Sequence, residues 1–223
     1  MKKILSDKSS TVIIFLVLTV FLQVLSFKIL RIVIPEVIIA DYASFMTKIL
    51  MVILALEFAF FLWKTPLEIN FEVFKVKKEC NFAREITEAA VISAIIIVCM
   101  LVYRFYLNGV NAEVAARPAF GLYLNIHARW FYPVSVPVQE FLIKAVVQHN
   151  IGTIDEKISK HFTVWVTSLY FGILHMAYPM YYILGAVFLC SLTGYMYERD
   201  KNIWGTVLIH FVVGFMPRAL GLK

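Results

Sequence analysis

The sequence predicts an all-α, polytopic membrane helical bundle of about seven transmembrane helices, the last four of them a packed core. Three observations carry that class. Hydrophobic residues make up 61% of the 223 positions and charged residues only 16%, against roughly half and a quarter in soluble domains. The apolar residues come in long runs almost free of charge, the signature of membrane spans. The formal charge of +6 is dispersed along the chain, as in basic loops beside anionic lipid. That dispersion excludes a nucleic-acid-binding face, which needs clustered Lys and Arg.

Each element follows from local pattern. Ser9 and Ser10 cap a first span, TVIIFLVLTVFLQVLSF. Lys2 and Lys3 precede it as in a secretory signal, but the run is long and no small-x-small site follows closely, so it reads as an uncleaved span. A second span runs from about Tyr42 to Trp63. It holds Lys48 and Glu57, boundary or helix-pairing residues. A polar connector with Lys75, Lys77, Lys78 and Arg84 leads to a third span, about Ile86 to Leu107, ending at the turn pair Asn108-Gly109. Residues 110–130 read as interfacial, and Trp130, Phe131 and Tyr132 as an aromatic belt. The fourth span, near 133–149, is short and opens with Pro133 and Pro137, which predicts an irregular start. The fifth is HFTVWVTSLYFGILHMAYP, the sixth YYILGAVFLCSLTGYMY, the seventh NIWGTVLIHFVVGFM. Ala186, Cys190 and Gly194 make a small-xxx-small row for close helix approach. Cys80, Cys99 and Cys190 show no CxxC spacing and read as reduced packing residues. The bias of basic residues puts the N-terminus on the cytoplasmic side.

Within the last four spans the ionisable residues are few: Glu140 and Lys144 in the fourth, His175 in the fifth, His210 in the seventh. A charged group at mid-membrane costs about 2.5–3.5 kcal/mol on insertion scales, so such groups face inward and find partners. A carboxylate and two imidazoles from three helices can converge on one water, the carboxylate taking its proton and an imidazole stabilising the oxyanion. The same three residues also match a zinc shell with an open fourth place. A metal-free acid–base group is equally compatible; either way the reaction class is hydrolysis. The plain structural alternative is that Glu140 and Lys144, four apart, neutralise each other along one helix.

The order Gln139-Glu140-x-x-x-Lys144, Phe171-x-x-x-His175, His210-x-x-x-Gly214 resembles the CPBP family of intramembrane proteases, the CAAX-processing and bacteriocin-processing or Abi proteins. The family's motifs are Glu-Glu-x-x-x-Arg, Phe-x-x-x-His and His-x-x-x-Asn/Asp. The approach LTGYMYERDKNIWGTVLIH is similar to the family's turn and Trp-containing helix before the last His. The resemblance covers residues 131–217 as a CPBP-like core, leaving 1–130 as N-terminal transmembrane helices and connectors. It implies an intramembrane endopeptidase of a prokaryotic plasma membrane, acting on a membrane-tethered peptide among the membrane lipids. Glu140, His175, His210 and Gln139 would be catalytic, and Lys144, Phe171 and Gly214 supporting. Gln139 replaces the first Glu, usually the water-activating base; Lys144 replaces Arg; Gly214 replaces Asn or Asp. These departures keep a second reading open, a non-catalytic relative that binds a peptide or partner, as an immunity protein does.

Overall fold

The computed structural model of the chain describes residues 7–34, 42–75, 82–118, 120–121 and 132–222. Trp130, Phe131, Cys80, Lys2, Lys3, Lys77 and Lys78 lie outside the described residues, as do residues 119 and 122–130 of the expected interfacial stretch. All regular structure among the described residues is helical. The helices are α1 (Lys8–Val33), α2 (Tyr42–Lys64), α3 (Phe82–Val110), α4 (Ala112–Ala115), α5 (Tyr132–Glu140), α6 (His149–Gly152), α7 (Lys160–Ile173), α8 (Met180–Asp200) and α9 (Trp204–Ala219). A 3-10 turn spans Phe71–Phe74, and a π-helical stretch, Phe141–Gln148, joins α5 to α6.

Among the described residues, three helices are long and apolar enough to cross a membrane: α1, α3 and α8. The expected fifth and seventh spans fall on α7 and α9, of 14 and 16 residues, short of the roughly 20 that a perpendicular crossing takes. Pro179 ends the first of these two runs; Pro217 lies within the last turn of the second.

Burial on the long helices is inverted relative to a soluble protein. On α1 the side chains turned inward include Thr11, Thr19 and Gln23, while Ile13, Val17 and Phe21 are exposed. On α3 the buried set is Glu85, Ala89, Ser93 and Arg104, with Val91, Ile95, Val98 and Val102 outside. Water would reject such a surface and lipid accepts it, whereas the polar stripe must find hydrogen bonds inside protein. This is an integral membrane protein.

The chain forms two compact units. The first takes Met1–Asn70 and Ile143–Tyr195. Phe15 packs on Phe58 and Phe61, with ring centroids 4.9 and 5.1 Å apart. The buried Tyr170 hydroxyl donates to Thr19 Oγ1 at 2.9 Å, and Gln23 Nε2 donates to the Leu50 carbonyl at 3.1 Å. Lys144 Nζ donates to the Cys190 carbonyl at 3.2 Å, and Gln148 Nε2 to the Gly194 carbonyl at 3.0 Å. The small-residue row on α8 therefore admits two polar side chains to its backbone. Asn150 reads both edges of residue 68, accepting from its N–H at 3.0 Å and donating to its carbonyl at 2.7 Å.

The second unit takes Phe71–Leu142 and Met196–Lys223. Arg84 pairs with Asp200 at 2.9 Å and Arg199 with Glu88 at 2.5 Å, tying the start of α3 to the end of α8. The chain then turns through Lys201, whose φ is 51°, and Asn202 Oδ1 accepts from Trp204 N at 2.8 Å to start α9. Buried Glu85 accepts from Gly205 N at 2.8 Å, satisfying one of the donors a helix start leaves open. A Cβ at Gly205 would lie 2.9 Å from that carboxylate, so the approach needs glycine. This fixes the origin of the helix that carries His210.

Candidate active site

Glu140 ends α5 and His210 sits midway along α9. Glu140 Oε1 and His210 Nδ1 are 2.8 Å apart, with side chains 3% and 7% exposed. With Glu140 ionised, the bond runs from the ring's Nδ1–H to the carboxylate, and Nε2 is the ring nitrogen left to meet another partner. Such a bond also sets the ring's orientation. A buried carboxylate and a buried imidazole thus share one hydrogen bond in the second unit.

Adjacent helical residues point about 100° apart, so only one of Gln139 and Glu140 can take this place. It is Glu140 that is buried; Gln139 is half-buried. Pro137 lies inside α5, and π winding begins directly after Glu140. The irregularity expected from the prolines is present, in the form of a π stretch rather than a broken start. Such stretches widen the turn and re-aim side chains, and are frequent at functional sites.

Tyr132, expected in an interfacial belt, opens α5 and reaches α9. Its phenol donates to the His210 carbonyl at 3.3 Å, and its ring lies 5.8 Å from that of Phe211. Gly214 makes the room: a Cβ there would sit 1.5 Å from Tyr132 Oη. Where the family resemblance has Asn or Asp, this chain has a seat for a phenol. Sequence reasoning listed Gly214 as supporting and missed Tyr132; the signal was a glycine one turn after a histidine, which marks a close approach.

His175 belongs to the first unit. It was expected within a membrane helix, but α7 ends at Ile173, and residues 174–178 form successive tight turns up to Pro179. His175 Nδ1 bonds the Phe171 carbonyl at 2.9 Å, and the two rings meet edge-on at 4.5 Å. The Phe-x-x-x-His spacing works here as a helix terminus: the imidazole satisfies a carbonyl that the helix end leaves open. A carbonyl only accepts, so His175 too carries its proton on Nδ1. Phe171 is buried. Lys144, wholly buried, directs its ammonium to the Cys190 carbonyl and, at 3.4 Å, to Cys190 Sγ. Cys99 and Cys190 are free thiols.

Zinc was one option for Glu140, His175 and His210. Among the described residues no group of three or more His, Cys, Asp and Glu is placed to hold a metal ion.

The fold is helical and membrane-spanning, and the site holds a buried carboxylate–imidazole pair suited to acid–base chemistry. What specifies the chain further is a match over residues 122–216 to the family model type II CAAX prenyl endopeptidase Rce1-like; the resemblance read from the three motifs holds. That segment contains Gln139, Glu140, Lys144, Phe171, His175, His210 and Gly214. Comparison with curated proteins and with solved structures finds no match.

Proposed function

We propose that the chain is an intramembrane endopeptidase that hydrolyses a membrane-tethered peptide, with Glu140 and His210 as its acid–base pair. The observation that carries this reading is the buried 2.8 Å bond between the two side chains. The pair takes a proton from a water, whose oxygen attacks the peptide carbonyl. The C–O bond forms, the C–N bond breaks, and the same proton passes to the leaving amine. Glu140 holds His210 in the tautomer that leaves Nε2 basic, and its negative charge stabilises the imidazolium that forms when the ring takes the proton. Gln139, an amide, cannot take up that proton. His175 is proposed as a second imidazole needed for turnover, and Lys144 and Phe171 as framework. The membrane lipids are its medium, and the family match makes a prenylated peptide the first substrate to assay.

The test is cleavage of a prenylated, internally quenched peptide by the purified full chain in lipid. Glu140→Gln and His210→Gln should each lower kcat/KM by roughly 10²–10⁴-fold, the range of general acid–base catalysis. His175→Asn tests the second imidazole separately. Wild-type protein that binds the peptide without cutting it, or cleavage that survives both Glu140→Gln and His210→Gln, would favour the non-catalytic peptide-binding reading instead.

A further inference from the structure

The last turns of α3 and the segment after α4 hold two arginines, Arg104 and Arg117, that the hydrolytic pair does not use. Arg104 is 1% exposed. Its Nη2 donates to the Arg117 carbonyl at 2.7 Å, and its Nη1 reaches the Gly221 carbonyl at 3.5 Å. Arg117 Nη1 donates to the same Gly221 carbonyl at 3.3 Å. Two cations thus converge on one neutral acceptor. Gly221 presents it from a left-handed backbone, φ 60°, where side chains are disfavoured. Neither guanidinium makes an ion pair among the described residues, and the buried Arg104 Nε has no hydrogen-bond partner.

Buried charges in proteins are paired, because an unpaired one forfeits its hydration without return. Two like charges about a shared carbonyl compound that cost, since at an effective dielectric of about 20 their repulsion is worth kilocalories rather than tenths. The counter-charge such a fork best fits is planar or tetrahedral oxyanion, phosphate above all. Depth narrows the source. The 29 residues of α3 extend about 43 Å, more than the roughly 30 Å hydrocarbon layer. Its last turns therefore reach the headgroup zone. Tyr103 and Tyr106, both exposed and stacked at 6.4 Å, are placed as interfacial aromatics are. Arg117, only half-buried, is the side from which a headgroup would approach.

We propose that Arg104 and Arg117 form an anion site for the phosphate of an anionic phospholipid, clasped where α3 meets the residues that follow α9. Arg117 makes first contact, and Arg104 supplies the buried second charge and the unspent Nε–H. This is independent of the hydrolytic reading.

The test uses the purified full chain in detergent, titrated with phosphatidylglycerol, phosphatidylcholine or inorganic phosphate while the thermal midpoint and bound lipid are followed. Phosphatidylglycerol should raise the midpoint and phosphatidylcholine should not. Arg117→Gln should bind phosphatidylglycerol about fivefold more weakly, the effect of one surface cation on an anionic lipid, and Arg117→Lys less so. Lys157→Gln, an exposed cation elsewhere, should leave the response intact. If Arg104→Gln does not fold, Arg117→Gln alone decides. Equal stabilisation by both lipids, or a phosphatidylglycerol response unchanged in Arg117→Gln, would overturn the site. Saturation of the response by inorganic phosphate alone would overturn its assignment to lipid.

Discussion

The two compact units bury polar side chains for different ends. In the first, Lys144, Gln148 and Asn150 are spent on backbone: the carbonyls of Cys190 and Gly194, and both edges of residue 68. In the second, Glu140 and His210 are spent on each other. The amides of Gln148 and Asn150 can hold two segments together but have no proton equilibrium to offer a substrate. A carboxylate bonded to an imidazole has one. Residues from one stretch of sequence, 139–150, thus serve architecture in one unit and candidate chemistry in the other, and the change falls at the start of the π winding.

The contrast predicts that damage to each unit is read by a different measurement. The largest effect belongs to Glu140→Gln. It keeps shape and a hydrogen bond to His210, so the thermal midpoint should move little while hydrolysis falls by roughly 10²–10⁴-fold. Gln139→Glu, in a half-buried side chain beside it, should not restore that loss. Recovery of activity in Gln139→Glu/Glu140→Gln would show that the carboxylate's position is interchangeable and break the comparison.

Gly214→Ala comes next. The new Cβ would overlap Tyr132 Oη, so the phenol must leave and α9 or α5 must shift. Overpacking of this kind costs roughly 1–3 kcal/mol, and here it should also lower activity, because the displaced phenol is bonded to the His210 carbonyl. Tyr132→Ala in the same chain should recover most of the lost thermal midpoint. A Gly214→Ala protein with wild-type stability and activity would mean that Tyr132 is not seated there.

Asn150→Ala probes the other unit. It removes three hydrogen bonds, to the N–H and carbonyl of residue 68 and to the Val146 carbonyl. Leaving such groups unpartnered costs about 1–3 kcal/mol, so unfolding should come at lower temperature. The kcat of the folded fraction should stay unchanged, and a fall in kcat at constant stability would couple this clamp to chemistry.

Much of the fold was legible because the bilayer inverts the usual burial rule so strongly: long uncharged runs, with Thr, Gln and Arg as rare interruptions, need no tertiary information to interpret. The motif residues were legible for the same reason, since Glu140 and His210 are costly where they stand unless they meet. What was not legible depended on phase and on the third dimension. Whether Gln139 or Glu140 faces the imidazole turns on about 100° of helix rotation, and Pro137 with the π stretch after it alters the winding there. Tyr132 sits 82 residues from Gly214 along the chain, and no local pattern pairs them. His175 lay in a run that reads as continuous helix up to Pro179, yet its own side chain takes the Phe171 carbonyl and the chain turns early. The N-terminal cap of α1 is the opposite case, a purely local feature.

That cap supplies the smallest effect. Asp7 accepts from Ser10 N at 2.7 Å, and this backbone bond, more than the Ser10 hydroxyl, holds its carboxyl below the ordinary 3.8. A carboxyl depressed in the folded state stabilises the helix start above the unfolded value, and the contribution drains away as pH falls through the lower, folded value. Amide exchange at Ser10, corrected for intrinsic rate, should therefore show protection that is steady at neutral pH and declines only below about pH 4. In Asp7→Ala that protection should be reduced at every pH and lose its acid dependence. The helix itself should survive the change, because Phe15, Thr19 and Gln23 of its buried stripe are held by contacts to Phe58, Tyr170 and Leu50 that no cap supplies.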